Sequence, residues 1–202
     1  MIKRLLDICI TLPAIILLLP AFALLSLFIR ISSRGPAVFK QERAGRDGLP
    51  FTFYKFRTMR LEADPYGASP KSGDDPRLTS VGRFLRESSL DELPQLINIL
   101  KGDMTLVGPR PLYVSQVDEW TERQKKRLNV KPGLTGLAQI SGRGALTREA
   151  KLDLDVRYVE TATLLGDLKI ILATFMHVFG RTAIYEEQYS EQEITRGEKA
   201  RG

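Results

Sequence analysis

"ICITLPAIILLLPAFALLSLFI", residues 8–29, contains no charged side chain. An apolar run of this length is long enough to cross a bilayer core as a helix. "MIKR" precedes it, and Arg30 and Arg34 follow it. Three readings compete. "AFA" at residues 21–23 mimics a signal-peptide cleavage site, but the apolar run continues as "LLSLFI" and Asp7 interrupts the usual basic start. A plain spanning helix would place one basic end on each side of the membrane, against the positive-inside asymmetry. The third reading rests on Pro20, which deletes the hydrogen bond to the Ile16 carbonyl and bends the helix by its ring. Pro13 offers a second, weaker bend. A helix bent at Pro20 enters and leaves by one leaflet and keeps both basic ends on anionic cytoplasmic lipid. Kinked spanning helices also occur, so the proline alone leaves both readings open.

The chain has 202 residues, enough for one hydrophobic core, and carries a net charge of +6. That charge calls for an anionic partner: nucleic acid, phosphorylated metabolites or anionic lipid. A single cysteine, Cys9, excludes an intrachain disulfide and a thiolate zinc site. The single histidine, His177, lies in the apolar helical stretch "LATFMHVFG", which assigns it to packing or an interface and excludes histidine-rich metal sites. Chemistry is left to carboxylates, Lys, Arg or Ser.

Around "RAGRDGLP" the sequence alternates apolar and polar residues. It predicts a β-hairpin with Val38 and Phe39 in one strand and Phe51, Phe53 and Phe56 in the other. "PYGASPKSGDDP" is a loop by composition. "PRLTSVGRFLRES" predicts a short amphipathic helix with Leu78, Val81 and Leu85 on one face. "QLINILKGD" predicts another, with Leu93, Leu96, Ile97 and Leu100 at helical spacing and Gly102 as its stop. "SQVDEWTERQKKRL" reads as one polar helix. "LKIILATFMHVF" shows Leu168, Ile171, Leu172, Phe175 and Phe179 on a broad face, either core or a helix lying on the membrane surface.

In "SSLDELPQL", residues 88–96, Asp91 and Glu92 adjoin. Ser89 with Glu92 fits a capping box, with Asp91 favouring the positive helix end, and that structural role alone explains both acids. Pro94 fits it badly, because proline is comfortable at the first helical position and not inside the first turns. An irregular backbone is therefore expected at the acids, as at many functional sites. "VGPRP" holds Arg110 between two prolines, and "KPGLTGLAQISGRG" supplies glycines with Lys131 and Arg143. Such elements can cradle phosphate, although glycines also serve plain turns. Two carboxylates, several arginines and a membrane segment together suggest phosphoryl chemistry with Mg²⁺ at a lipid interface.

The series "YKFRTM", "DPRLTSVGRFLR", "SLDELPQLINILKGDMTLVGPRP" and "PGLTGLAQISGR" resembles the monotopic phosphoglycosyl transferases, bacterial sugar transferases that begin glycan assembly on undecaprenyl phosphate. The resemblance runs from about Lys3 to about Phe179, in the family's minimal form. It implies an α+β fold, mostly α, with a re-entrant membrane helix in residues 1–34. A compact cytoplasmic core with interfacial helices and a small β-hairpin would occupy residues 35–180, followed by a polar tail at 181–202.

The resemblance further implies transfer of a sugar phosphate from a UDP-sugar to undecaprenyl phosphate, with release of UMP, at the cytoplasmic face of the bacterial inner membrane. Asp91 would be the nucleophile and the Mg²⁺ ligand. Glu92 would assist as a metal-linked or proton-handling partner. Lys55, Arg86, Arg110 and Arg143 would hold the phosphates, and Gln139 the nucleotide. The family breaks its membrane helix at a Ser-Pro pair. Here the pair is Leu19-Pro20, and leucine cannot satisfy a freed carbonyl as a serine hydroxyl does. The competing function is a catalytically inactive membrane scaffold for glycan-assembly enzymes, which the intact acidic pair opposes. A nucleic-acid binder is opposed by the apolar anchor and by the lack of a basic motif interleaved with aromatics.

Overall fold

The computed structural model describes residues 2–180 and Tyr185. The expected tail at 181–202 otherwise lies outside the described residues. Helix α1 spans Ile2–Ser32 and continues through Pro13 and Pro20, both on its exposed side. Each proline removes one hydrogen bond, and the opposite stripe of the helix lies on the globular part. Ala14, Ile15 and Leu18 pack on a cluster of Phe53, Leu96, Ile99 and Met104. Farther along, Phe22, Leu25 and Ile29 join Ala37, Phe56 and Leu85. The other side of α1 stays bare: Leu17 is 81% exposed.

Strands β1 (Val38–Ala44) and β2 (Pro50–Phe56) form the expected antiparallel hairpin, with Val38 opposite Phe56 and Ala44 opposite Pro50. Helix α2 (Ser80–Glu87) begins where the Thr79 hydroxyl accepts from the Gly82 N–H. Leu78, expected on its apolar face, lies just before it and bridges to Met59. Helix α3 (Gln95–Lys101) ends at Gly102, whose φ of 91° is the left-handed conformation that favours glycine. Its buried face differs from the one expected. Ile97 is exposed, while Asn98 and Gln95 are fully buried. Asn98 works as a tertiary connector: its side chain accepts from the Tyr54 N–H and donates to the Thr52 carbonyl, stitching α3 to β2.

Strands β3 (Thr105–Val107) and β4 (Gly133–Thr135) pair in parallel. They approach so closely that a Cβ at Gly133 would stand 2.1 Å from the Gly108 nitrogen. The expected polar helix at 115–128 is broken instead into a 3-10 segment (Val114–Glu119), the short α4 (Glu122–Lys125) and a 3-10 turn (Lys126–Asn129). The breaks allow Trp120 and Arg127, both buried, to turn inward. Helices α5 (Leu137–Ile140), α6 (Arg148–Thr161) and α7 (Leu164–Gly180) complete the fold. Ile170 and Asp167 fix α7 to the core, while Leu165, Leu168, Leu172, Phe175 and Met176 are exposed. The expected face is divided: Leu168, Leu172 and Phe175 are exposed, while Ile171 packs against the cluster of Val107, Tyr158 and Ile170. Phe179's side chain lies outside the described residues.

Candidate active site

Asp91 and Glu92 sit on an irregular backbone, as Pro94 led one to expect. After α2 the chain turns through Ser89 in the left-handed region, at φ 58°, into a 3-10 turn over Leu90–Glu92. Pro94 then precedes α3. The expected capping box is not formed. An N-cap residue needs extended dihedrals for its side chain to reach the helix N–H groups, and Ser89 makes no side-chain cap bond. The acids are thereby released from helix capping.

Lys55 on β2 and Arg110 come to them from opposite sides. Lys55 Nζ lies 3.0 Å from Glu92 Oε1 and 3.4 Å from Asp91 Oδ2. Arg110 Nη2 donates to Glu92 Oε1 at 2.6 Å, and its Nη1 stands 3.4 Å from Oε2. Two acids thus face two bases across a partly buried patch. Burial of Glu92 pushes its carboxyl upward. The charges and hydrogen bonds of Arg110 and Lys55 outweigh this and hold it well below the usual carboxylate range. Asp91 is treated differently: among the described residues its carboxylate has one contact, the long one from Lys55.

Arg110 owes its placement to a short segment that cannot donate for itself. Pro109 and Pro111 lack N–H groups, so neighbours grip the segment by its carbonyls. Gly133 N donates to the Pro109 carbonyl at 2.9 Å, and Ala44 N to the Leu112 carbonyl at 2.9 Å. Gly133, read from sequence as a phosphate cradle, serves this packing: its N–H is already bonded.

Of the other expected residues, Arg86 lies in the last turn of α2. There its charge reaches Asp75, whose carboxyl is lowered first by the Arg77 hydrogen bond and more weakly by Arg86. Gln139 lies in α5, and both its amide atoms are buried without a hydrogen-bond partner among the described residues. Arg143 begins a 3-10 turn, Arg143–Ala145, but its side chain lies outside the described residues. No group of three or more His, Cys, Asp or Glu side chains could hold a metal among the described residues. Mg²⁺ does not require one. It binds through one or two carboxylates completed by substrate phosphates and water, and the lightly engaged Asp91 fits that use.

A second polar cluster escaped the sequence reading. Lys3 Nζ donates to Asp167 Oδ2 (2.6 Å), the Tyr158 hydroxyl oxygen (2.6 Å) and the Val107 carbonyl (2.8 Å). Tyr158 in turn donates to Asp167 Oδ1 at 2.7 Å. Asp7, buried, accepts from the Thr105 hydroxyl and the Leu106 N–H. Arg4 caps the last carbonyls of α3 at Ile99 and Leu100. One signal was present in the sequence: an acid at the margin of an apolar segment invites a search for its partner.

The family model described as bacterial sugar transferase matches residues 1–181. The chain is 45% identical to an uncharacterised sugar transferase, EpsL, of Bacillus subtilis, over 93% of this chain and 92% of that one. A UDP-glucose:undecaprenyl-phosphate glucose-1-phosphate transferase of Caulobacter vibrioides is 44% identical, over 85% of this chain and 67% of that one. The Escherichia coli protein of the same name is 38% identical over 92% of this chain, but the match spans only 42% of that relative's length. With the model matched from the start of α1 to the end of α7, and the acids, Lys55 and Arg110 gathered within that stretch, the chain belongs to the bacterial sugar transferase family.

Proposed function

We propose that the protein transfers a sugar phosphate from a UDP-sugar to undecaprenyl phosphate, releasing UMP. The observation that carries this reading is the contrast between the two acids: Glu92 is clamped by two cations, while the adjoining Asp91 is left nearly unengaged. A carboxylate is an ionised nucleophile at neutral pH and needs no base. An Asp91 oxygen attacks the phosphorus that bears the sugar, the bond to UMP breaks, and an acyl phosphate forms. A phosphate oxygen of undecaprenyl phosphate then attacks the same phosphorus and frees Asp91. Lys55 and Arg110, oriented by Glu92, stabilise charge on the phosphoryl oxygens. Glu92 stays ionised, which suits orientation and not proton transfer. Asp91 would hold Mg²⁺, which when bound neutralises diphosphate charge. The unpartnered amide of Gln139 is available to the nucleotide.

The membrane reading belongs to the same proposal. Both ends of α1 touch one globular body: Lys3 reaches Asp167 and Ile29 packs with Leu85. That supports both basic ends lying on one side of the membrane, with the exposed apolar faces of α1 and α7 against lipid; α1 itself runs unbroken through Pro20 and packs along its middle as well, so the break expected at Pro20 is not seen here. The basic ends then lie on anionic headgroups at the cytoplasmic face. The deciding experiment measures UMP release from a panel of UDP-sugars with undecaprenyl phosphate. Release that depends on the lipid phosphate is expected. A protein that binds glycan enzymes and turns over no UDP-sugar would be a scaffold.

A further inference from the structure

Arg127 and Asp155 are both buried, with side chains 2% and 5% exposed. The guanidinium donates twice to Asp155 Oδ2, from Nε at 3.1 Å and from Nη2 at 2.7 Å. The Trp120 ring lies 4.7 Å from its centre. Taking two charges out of water costs several kcal/mol or so per ion, and a well-packed apolar pair is often as stable. Fold stability alone is therefore a weak reason for an ion pair at this position. Its third bond supplies another. Arg127 Nη2 also donates to the carbonyl of Arg110, at 2.5 Å. That carbonyl belongs to the segment whose prolines cannot donate, and a small open groove of about 10 Å³ lined by Pro109, Arg110, Pro111 and Arg127 adjoins it. The bond from Arg127 fixes the backbone there.

We infer that Arg127 and Asp155 are a positioning pair: they lock the Arg110 backbone, and through it the guanidinium that grips Glu92. The inference rests on the reading of Asp91, Glu92 and Arg110 as an active site. Asp155 orients Arg127, Arg127 holds the carbonyl of Arg110, and the two flanking prolines stiffen the chain between that carbonyl and the side chain. Neither residue of the pair need touch substrate.

The test uses the full chain in detergent and the variants Arg127→Met and Arg127→Lys. Methionine keeps much of the volume and removes the buried charge, and Asp155→Leu in the same chain removes the other. The double variant Arg127→Met/Asp155→Leu should stay folded, its thermal midpoint lowered only by the lost bond to the Arg110 carbonyl, because an apolar pair replaces an ionic one. Its kcat for UMP release should nevertheless fall about 10–100-fold, the scale of a small misplacement of a reacting group, with KM for the UDP-sugar changed less than about 3-fold. Lysine, which can still reach one oxygen, should recover part of the rate. The same double substitution placed on Arg110→Lys should cost far less than on the parent, because the group it positions is gone. Equal costs in both backgrounds, or a full rate in the double variant, would overturn the inference. A readout independent of turnover is the ¹⁵Nε–H resonance of Arg110, which should move in the double variant. An unmoved resonance counts against positioning even if the wild-type protein releases no UMP. That last result would sink the functional reading on its own.

Discussion

Two polar clusters of this molecule use the same kinds of residue and put them to opposite ends. In the cluster at the start of α1, Asp7 receives the Thr105 hydroxyl and the Leu106 N–H, while Lys3 spends three donors on three fixed acceptors. In the cluster at the acids, Glu92 is equally well served, but Asp91 has only a 3.4 Å approach from Lys55. A saturated network holds parts together. One that leaves a single carboxylate underused holds it ready for something absent from the protein. The difference separates architecture from chemistry more sharply than charge or burial does, because both clusters are buried or half-buried and both mix signs.

The strongest way to break the comparison is at the underused acid. Asp91→Asn keeps shape and hydrogen bonding but not nucleophilicity, and UMP release should fall by about 10⁴-fold or more, as when a nucleophile is removed elsewhere. A near wild-type rate would end the covalent proposal. Chelation should act nearly as severely. Hard oxygen donors suit Mg²⁺, so EDTA should abolish turnover and Mg²⁺ restore it; activity that survives thorough chelation would remove the metal from the scheme. Glu92→Gln should be milder, costing about 10²-fold in kcat, since it loosens Lys55 and Arg110 without removing the reacting atom.

The saturated cluster should answer in the other currency, stability. Asp7→Ala leaves the Thr105 hydroxyl and the Leu106 N–H without their acceptor in a buried place, at about 1–3 kcal/mol each. The thermal midpoint in detergent should drop, while kcat per folded molecule changes less than about 3-fold. A large loss of kcat with an unchanged midpoint would erase the distinction between the clusters.

The smallest expected effect is one of pH. The folded carboxyl of Glu92 lies below its ordinary value of 4.5. A depressed acid contributes stability that is complete above its unfolded pKa and is lost as pH falls through the folded one. Between about pH 4.5 and the lower folded value, wild-type stability should therefore fall more steeply than that of Glu92→Gln, as read by denaturation at stepped pH. Parallel curves would mean that Lys55 and Arg110 do not hold Glu92 in solution as they do here.

Local pattern carried the sequence reading where neighbours in the chain decide structure. The alternation around "RAGRDGLP" gives β1 and β2, Gly102 stops α3, and Pro94 foretells the irregular turn at the acids. It failed where a distant partner decides. Asn98 looks like an ordinary polar helix residue, yet it faces inward because β2 offers backbone groups that need a partner. The polar run after Val114 has helical composition, but Trp120 and Arg127 are called inward by α6 and by the Arg110 carbonyl, and the helix breaks. Arg110 stood out between the two prolines of "VGPRP", and Lys55 was found because the family resemblance singled it out. Arg86 was named from the resemblance, and no hydrogen bond or ion pair joins it to the acids among the described residues.

The pairing of Lys3 with Asp167 joins residues 164 positions apart. It gives α1 a history as well as a place. The helix is synthesised before its acceptors on β3, α6 and α7. At translation rates of about 5–20 residues per second, roughly 10–30 s pass between the appearance of Lys3 and that of Asp167. Through that interval Lys3 lacks its acceptor on α7, while the residues of β2, α2 and α3 that α1 packs against are already made. Seating of the Lys3 end is therefore the part of α1 docking that must wait for α7.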